Sequence, residues 1–471
     1  MPSLRVVLPA SPPPTFADLR RELGVREDFP PEVLAEAEQA AAAPRLPDED
    51  LTALPFVTVD PETSRDLDQA VHLERSGAGY RLRYAIADVA AFVRPGGALD
   101  AEVRLRGETL YAPDRRVPLH PPVLGEDAAS LLAGQVRPAV MWDLVLDAAG
   151  EPTAVDVRRA LVRSVAKLSY DGVQAQYDAG TADELLLLLR DVGRLRQERA
   201  AERGAVDLPT LEQEVEVGPD GRPVLSLRRG LPVEGWNAQI SLLTGAAAAQ
   251  VMLDGGVGLL RTMPPPAGDD VAALRRSALA LGLPWPEGTS YAAAVSALDP
   301  TDPRAAALLV LATRLLRGAG YTAFDGAPPA LATHSAVAGA YAHATAPLRR
   351  LADRYVLQTC VALAAGTPVP DDVRAALPEL PAVMAGADRA AGALARAGVD
   401  LAEALVLAPR VGERFRASVV ESGAERGAVQ LADPPVRARC EGADLPLGAE
   451  LAVELVTADP ATRTVLFRRA G

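Results

Sequence analysis

The hydrophobic period of this 471-residue chain changes twice, and that limits the fold more than any other feature. From Phe56 onward Val57, Val59, Val71, Leu73, Tyr80, Leu82, Tyr84 and Ile86 alternate with polar neighbours, the two-residue repeat of strands. Val140 to Leu146 and Thr153 to Val157 read as a hairpin around Asp147–Gly150. After Asp183 the repeat becomes helical: Leu185 to Arg199, Trp236 to Met252, Asp270 to Leu281, Ala305 to Arg317 and Leu348 to Ala364. Near Pro409 alternation returns in five short runs, Arg414 to Val420, Gly427 to Leu431, Val436 to Cys440, Leu451 to Val456 and Val465 to Arg468. Five short strands closing a chain suggest an OB-type barrel, with an SH3-like barrel as the alternative. Phe16 to Leu23 and Pro31 to Ala42 read as two short helices, either a docking arm or a helix-turn-helix remnant. The predicted architecture is α+β: a helical segment over 1–46, a large mixed domain over 47–405 and a β-barrel over 406–471.

Composition excludes several classes. Hydrophobic residues at 49% and charged residues at 23% match an ordinary globular protein, so disorder and collagen are ruled out. Two cysteines, Cys360 and Cys440, cannot build a disulfide scaffold or a zinc ribbon, and a reducing cytoplasm fits them. Met1–Arg5 opens no apolar leader, and no run approaches the ~18 apolar residues of a membrane span. A net charge of -14 disfavours nucleic-acid binding over the whole surface but permits a locally basic channel. Lys167 is the only lysine, a skew that matches base composition better than function.

The segment Asp60-Pro-Glu-Thr-Ser-Arg-Asp66-Leu-Asp68-Gln69 places three carboxylates between two strand-like runs. If Asp66 begins the second strand, Asp66 and Asp68 share a face and Asp60 closes in from the first. Carboxylate oxygens held this way suit Mg²⁺, which takes one or two carboxylates and completes its shell with phosphate oxygens. A solvated acidic hairpin is the bland alternative. A second segment, His343-Ala-Thr345-Ala-Pro347-Leu-Arg349-Arg350-Leu-Ala-Asp353, reads as a helix start with Thr345 as N-cap. Arginines in a first turn oppose the helix dipole, so Arg349 and Arg350 imply a bound anion there. A salt bridge from Arg349 to Asp353 is the competing use.

Taken together, these segments resemble the ribonuclease II family, whose catalytic domain is called RNB. The resemblance is carried in order by Val57-Thr-Val-Asp60 through Asp68-Gln-Ala70, Ile86-Ala-Asp-Val89, Gly97-Ala-Leu-Asp100, Arg106-Gly107, Leu110-Tyr111-Ala-Pro-Asp-Arg115-Arg116-Val-Pro118, Lys167-Leu-Ser-Tyr170, Arg203-Gly-Ala205 and His343 to Arg350. It implies Mg²⁺-dependent (Mn²⁺ as substitute), processive 3′-to-5′ hydrolysis of single-stranded RNA to nucleoside 5′-monophosphates, and the chain is expected to be a cytoplasmic monomer. By position, Asp60, Asp66, Asp68 and the neutral Gln69 fall to the metals, with Asp66, Asp68 and Arg349 catalytic. RNA contacts would come from Tyr111, Arg115, Arg116, His343, Thr345, Arg349 and Arg350, with Tyr111 stacking on the terminal base.

The sequence departs from the family pattern in four places. Gln69 stands where an aspartate is usual, Trp236-Asn-Ala-Gln239 replaces paired glutamates, and Leu208 replaces an aromatic. Residues 1–46 are too short and too helical for tandem cold-shock barrels. A catalytically weak RNA-binding relative and a Mg²⁺ phosphoesterase are the competing readings.

Overall fold

A computed structural model describes residues 14–209, 211–217 and 223–470, apart from the side chains of Glu212 and Val217. The reading of Met1–Arg5 lies outside the described residues. The chain opens with α1 (Phe16–Glu22) and α2 (Pro31–Ala42), the first started by a capping box between Thr15 and Asp18. Alternation then produces β1 (Phe56–Asp60), β2 (Gln69–Ser76) and β3 (Gly79–Ala87). Next come α3 (Ala98–Arg106), a small hairpin of β4 (Leu110–Ala112) and β5 (Arg115–Val117), and the long hairpin of β6 (Val136–Leu146) and β7 (Pro152–Ser169). β1, β2, β3, β6 and β7 close into a barrel, sealed by the parallel pair β1–β7. Both of its faces are covered: Tyr84, Ile86 and Trp142 are buried on one and Ala85 and Met141 on the other.

The helical region holds α4 (Tyr170–Ala179), α5 (Glu184–Arg203), the hairpin β8 (Leu211–Val217) and β9 (Pro223–Arg229), and α6 (Pro232–Gly255). It continues through β10 (Val257–Thr262), α7 (Gly268–Ala280), α8 (Tyr291–Ser296), α9 (Pro303–Ala312), β11 (Gly320–Asp325), α10 (Leu351–Ala364) and α11 (Asp371–Ala376). It ends in α12 (Leu380–Leu407), at 28 residues the longest helix described, which the periodicity reading did not find. The closing strands β12 (Arg414–Glu421), β13 (Arg426–Leu431), β14 (Arg437–Glu441), β15 (Glu450–Asp459) and β16 (Thr464–Arg469) form a second closed barrel. Its order β12-β13-β14-β16-β15, with β14 and β16 parallel, is the OB arrangement, and the SH3-like alternative falls away.

α12 ties the parts together. Leu394 and Leu401 on it meet Phe16 and Leu19 of α1, while Ala404 and Leu407 join the barrel core around Phe415, Val453 and Phe467. α2 buries Val33 and Ala37 in the main core. The two opening helices therefore dock at separate places. No helix among the described residues is long and apolar enough to cross a membrane.

Glu403 of α12 is buried at the seam with the barrel, where its Oε1 accepts from Gln213 Nε2 (2.9 Å) and from the Arg437 N–H (3.2 Å). Burial pushes its carboxyl up to about 7, against the pull of those donors. The folded state therefore holds a proton that the unfolded state gives up. Stability is full at low pH, declines as pH rises toward 7, and levels off above it. Glu403→Gln keeps the acceptor and removes the titration. Its unfolding free energy at pH 8 is expected to exceed the parent's by roughly 1–3 kcal/mol, with parity at pH 4. Denaturant melts at the two pH values check this.

Candidate active site

The acidic segment is held as a rigid loop. Asp60 ends β1, opposite Ser169 of β7. Lys167, two residues earlier on β7, donates to the carbonyl oxygens of Glu62 (2.5 Å) and Ser64 (2.7 Å). Ser130 Oγ donates to the Arg65 carbonyl (2.6 Å) and accepts the Leu67 N–H (2.9 Å). With its backbone spent this way, the loop runs on to Asp68, and β2 begins at Gln69 rather than at Asp66. The expected shared face of Asp66 and Asp68 is therefore corrected. Asp66 pairs with Arg116, which also reaches Glu126 at 3.0 Å, and Asp68 turns into the protein with 1% exposure.

The partner of Asp68 is the basic segment. Its Oδ1 accepts the Leu348 N–H (2.7 Å) and its Oδ2 accepts Arg349 Nε (2.8 Å). The predicted helix start at Pro347 is also corrected: α10 begins at Leu351, and Arg350, not Thr345, is its N-cap. The N–H groups that a helical turn would leave open are used elsewhere. Leu348 serves Asp68, and Ala346 donates to Asp353 Oδ2 at 2.7 Å. The strand-like stretch Gly107–Thr109 pairs alongside, Thr109 donating to the Arg349 carbonyl (2.9 Å) and Leu351 to that of Gly107 (2.9 Å). Asp353 is taken by Arg350, through Nε at 3.0 Å and Nη2 at 2.9 Å, so the Arg349–Asp353 bridge is not formed. Arg349 stays 39% exposed. One buried carboxylate thus aims one half-exposed arginine.

Burial pushes the Asp60 carboxyl up to about 6, with Asp66 adding repulsion and Arg349 and Lys167 opposing. Asp60 Oδ2 is buried without a hydrogen-bond partner. Burial likewise pushes Asp68 up to about 7, against Arg349 and the Leu348 N–H, and two donors on its two oxygens keep the ion pair together. Among the described residues no three His, Cys, Asp or Glu side chains converge into a ready metal cage. The donor set still fits Mg²⁺, which needs only one or two carboxylates when waters and phosphate oxygens supply the rest. Asp60, with its orphaned oxygen, and Asp66, electrostatically felt by both Asp60 and Asp68, would be the residues to hold it.

Gln69 donates its amide to the Thr345 carbonyl, a strut between the two segments. Tyr111 on β4 is 54% exposed, and its hydroxyl lies against the Arg349 guanidinium. Of the other expected RNA contacts, His343 and Thr345 are turned into the protein, while Arg115, Arg116 and Arg350 are engaged in ion pairs. His343 Nδ1 meets the Tyr321 hydroxyl at 2.7 Å, and burial holds its imidazole down at about 3, neutral at physiological pH. Thr345 is buried, Arg350 is on Asp353, and Arg115 is on Glu27 at 2.9 Å. Sequence reasoning quoted Lys167 only as part of a motif. Its isolation as the single lysine, two residues before the strand end that faces Asp60, is the signal that could have marked it as the loop's anchor. Asn237, whose amide donates to the Tyr170 hydroxyl (3.2 Å) beside Asp60, was likewise seen only as a departure.

The RNB domain family matches residues 48–364, and the family described as RNase II-type exonuclease C-terminal S1 domain matches residues 413–470. The exosome complex exonuclease RRP44 homolog A of Arabidopsis thaliana is 33% identical over 325 residues, covering 65% of this chain but 34% of that protein. The chain thus spans about a third of that relative's length. Among solved structures, Mycoplasma genitalium RNase R in complex with ribose methylated single-stranded RNA superimposes with a TM-score of 0.85 at 19% identity, covering 97% of this chain and 77% of that one. Yeast Ssd1, described as a pseudonuclease, gives 0.71 at 16% identity over 95% of this chain and 57% of its own. The chain belongs to the RNB-domain exoribonuclease family of ribonucleases II and R, with a C-terminal S1 domain.

Proposed function

We propose that this chain is a Mg²⁺-dependent exoribonuclease that shortens single-stranded RNA processively from its 3′ end and releases nucleoside 5′-monophosphates. The observation that carries this reading is the Asp68–Arg349 pair, buried at one end and half exposed at the other, beside the unpartnered oxygen of Asp60. Bound Mg²⁺ would lower the pKa of a coordinated water and polarise the phosphate. Asp60 and Asp66 would hold it. Arg349, aimed by Asp68, would set its guanidinium against the scissile phosphate as negative charge builds there. Water adds to phosphorus, the bond to the 3′-oxygen of the penultimate nucleotide breaks, and that oxygen takes a proton, so the released nucleotide keeps its 5′-phosphate. Tyr111, at the mouth beside Arg349, would stack on a terminal base whatever its identity. The S1 barrel would add affinity through arginines, because Phe415 and Phe467 are buried in its core.

A catalytically weak RNA binder is the second reading. It is supported by Gln69, used as a strut where the pattern has a carboxylate, and by the fold shared with a pseudonuclease. One experiment separates the two: a Mg²⁺-dependent time course on 5′-labelled single-stranded RNA. A ladder receding from the 3′ end, silenced by EDTA, is expected. Retarded but intact RNA would favour the second reading.

A further inference from the structure

The hairpin that carries Tyr111 is too small to fix its own position. β4 and β5 are three residues each, and an isolated two-stranded hairpin is at best marginally stable in water. Something outside it must set where Tyr111 stands. Alternation along β4 gives the first clue: Leu110 and Ala112 pack into the cluster of Phe16, Leu19, Leu394 and Leu401, which leaves Tyr111 on the opposite face, toward Arg349. The turn beyond it is seated just as closely. Pro113 rests on Gly398 of α12, where an added Cβ would come within 3.0 Å of the proline Cδ.

Charge completes the seat. Arg20 of α1 is 3% exposed; its Nη1 pairs with Asp114 in the hairpin turn, and its Nε lies 3.2 Å from Glu27. Glu27 in turn holds Arg115 at 2.9 Å. On the far strand Arg116 joins Asp66 and Glu126. The hairpin is thus pinned at its turn by the N-terminal arm and along β5 by the acidic loop. A buried guanidinium adds little net stability once its desolvation is counted, whereas its geometry fixes its partner firmly. α1, at seven residues, would not hold as a helix alone, so arm and hairpin order one another.

We infer that residues 15–28 are a brace that sets Tyr111 over the carboxylate site, with Arg20 as its positioning residue. The inference rests on the exoribonuclease reading for its consequence, since Tyr111 matters there as the surface for the terminal base. Arg20 acts on substrate only through the hairpin.

The test compares Arg20→Met, Arg20→Lys, Asp114→Asn, Tyr111→Ala and the Arg20→Met/Tyr111→Ala double variant in the full chain. Amide hydrogen exchange reads the brace directly, and faster exchange over 110–117 is expected in Arg20→Met, with Arg20→Lys between it and the parent. Anisotropy of fluorescent single-stranded RNA in EDTA reads the consequence. Arg20→Met should bind about five- to tenfold more weakly, and Tyr111→Ala at least as weakly, as for loss of one stacked base. The double variant should bind no more weakly than Tyr111→Ala, a non-additivity that a general loss of stability would not produce. Asp114→Asn cuts the same contact from the hairpin side should Arg20→Met fail to fold. Unchanged exchange over 110–117 overturns the brace whatever the protein does to RNA. RNA losses that multiply in the double variant overturn the route through Tyr111. Failure of the exoribonuclease reading would register separately, as intact labelled RNA with the parent protein and Mg²⁺.

Discussion

Asp68→Asn is expected to lose cleavage by more than about a thousandfold while RNA binding stays within about threefold. The substitution keeps the size of the side chain but turns one acceptor oxygen into an NH₂ donor. Both oxygens now accept, one from the Leu348 N–H and one from Arg349 Nε, so an amide must set donor against donor. Arg349 then loses both its counter-charge and its aim, and the neighbouring Asp60 loses the arginine that opposes its protonation. Stability should change little. The parent carries the cost of a buried carboxylate, which asparagine removes, and Arg349 can turn toward solvent, so the balance lies within about 1 kcal/mol. Single-turnover cleavage with saturating protein, beside RNA anisotropy and a thermal melt, measures all three. Cleavage at the parent rate would remove Asp68 from the site.

How much of this could be read from residues alone depends on the range of the interaction. Alternation over 56–87, the hairpin over 140–157 and alternation over 414–468 marked strands of both barrels because side-chain period is a local property. α12 was missed because alanine stands on its exposed face, at Ala382, Ala385, Ala390 and Ala395, as well as on its buried one, which blurs the contrast between faces. The spacing of Leu380, Ala387, Leu394 and Leu401, all buried and seven apart, is the signal that survives. The carboxylates and arginines were found by type and spacing, but not their pairing. Asp68 lies 280 residues from Leu348 and 281 from Arg349, and a rule built on i,i+4 neighbours assigned Asp353 to the wrong arginine. The helix-start signal at Pro347 failed in part for the same reason, since the Leu348 N–H serves Asp68, 280 residues away, while that of Ala346 serves Asp353 and the helix begins only at Leu351. The bracing role of Arg20 was invisible too: its partner Asp114 is 94 residues away, and nothing near Arg20 in sequence sets it apart from many other arginines.

Arg349→Ala separates catalysis from binding at the other end of the same pair. Because phosphate charge grows in the transition state, removing the guanidinium should lower kcat by ~10²–10³ while changing KM only a few-fold. Arg349→Lys is the sharper variant. In the parent, Nε is the nitrogen that meets Asp68, which leaves the two terminal nitrogens for the Tyr111 hydroxyl or a phosphate oxygen. A lysine ammonium is one point of charge on a flexible stem and cannot satisfy Asp68 and a phosphate in one fixed plane. It should therefore restore stability more completely than it restores rate. The alanine variant leaves Asp68 buried with the Leu348 N–H as its one remaining donor among the described contacts, and its carboxyl should then take up a proton more readily. Any part of the rise of kcat with pH that follows Asp68 ionisation should then move to higher pH. If Arg349 served only to neutralise Asp68, lysine would return both melting temperature and turnover to parent values. Full rescue of kcat by lysine would assign Arg349 to the architecture of the loop rather than to the phosphate.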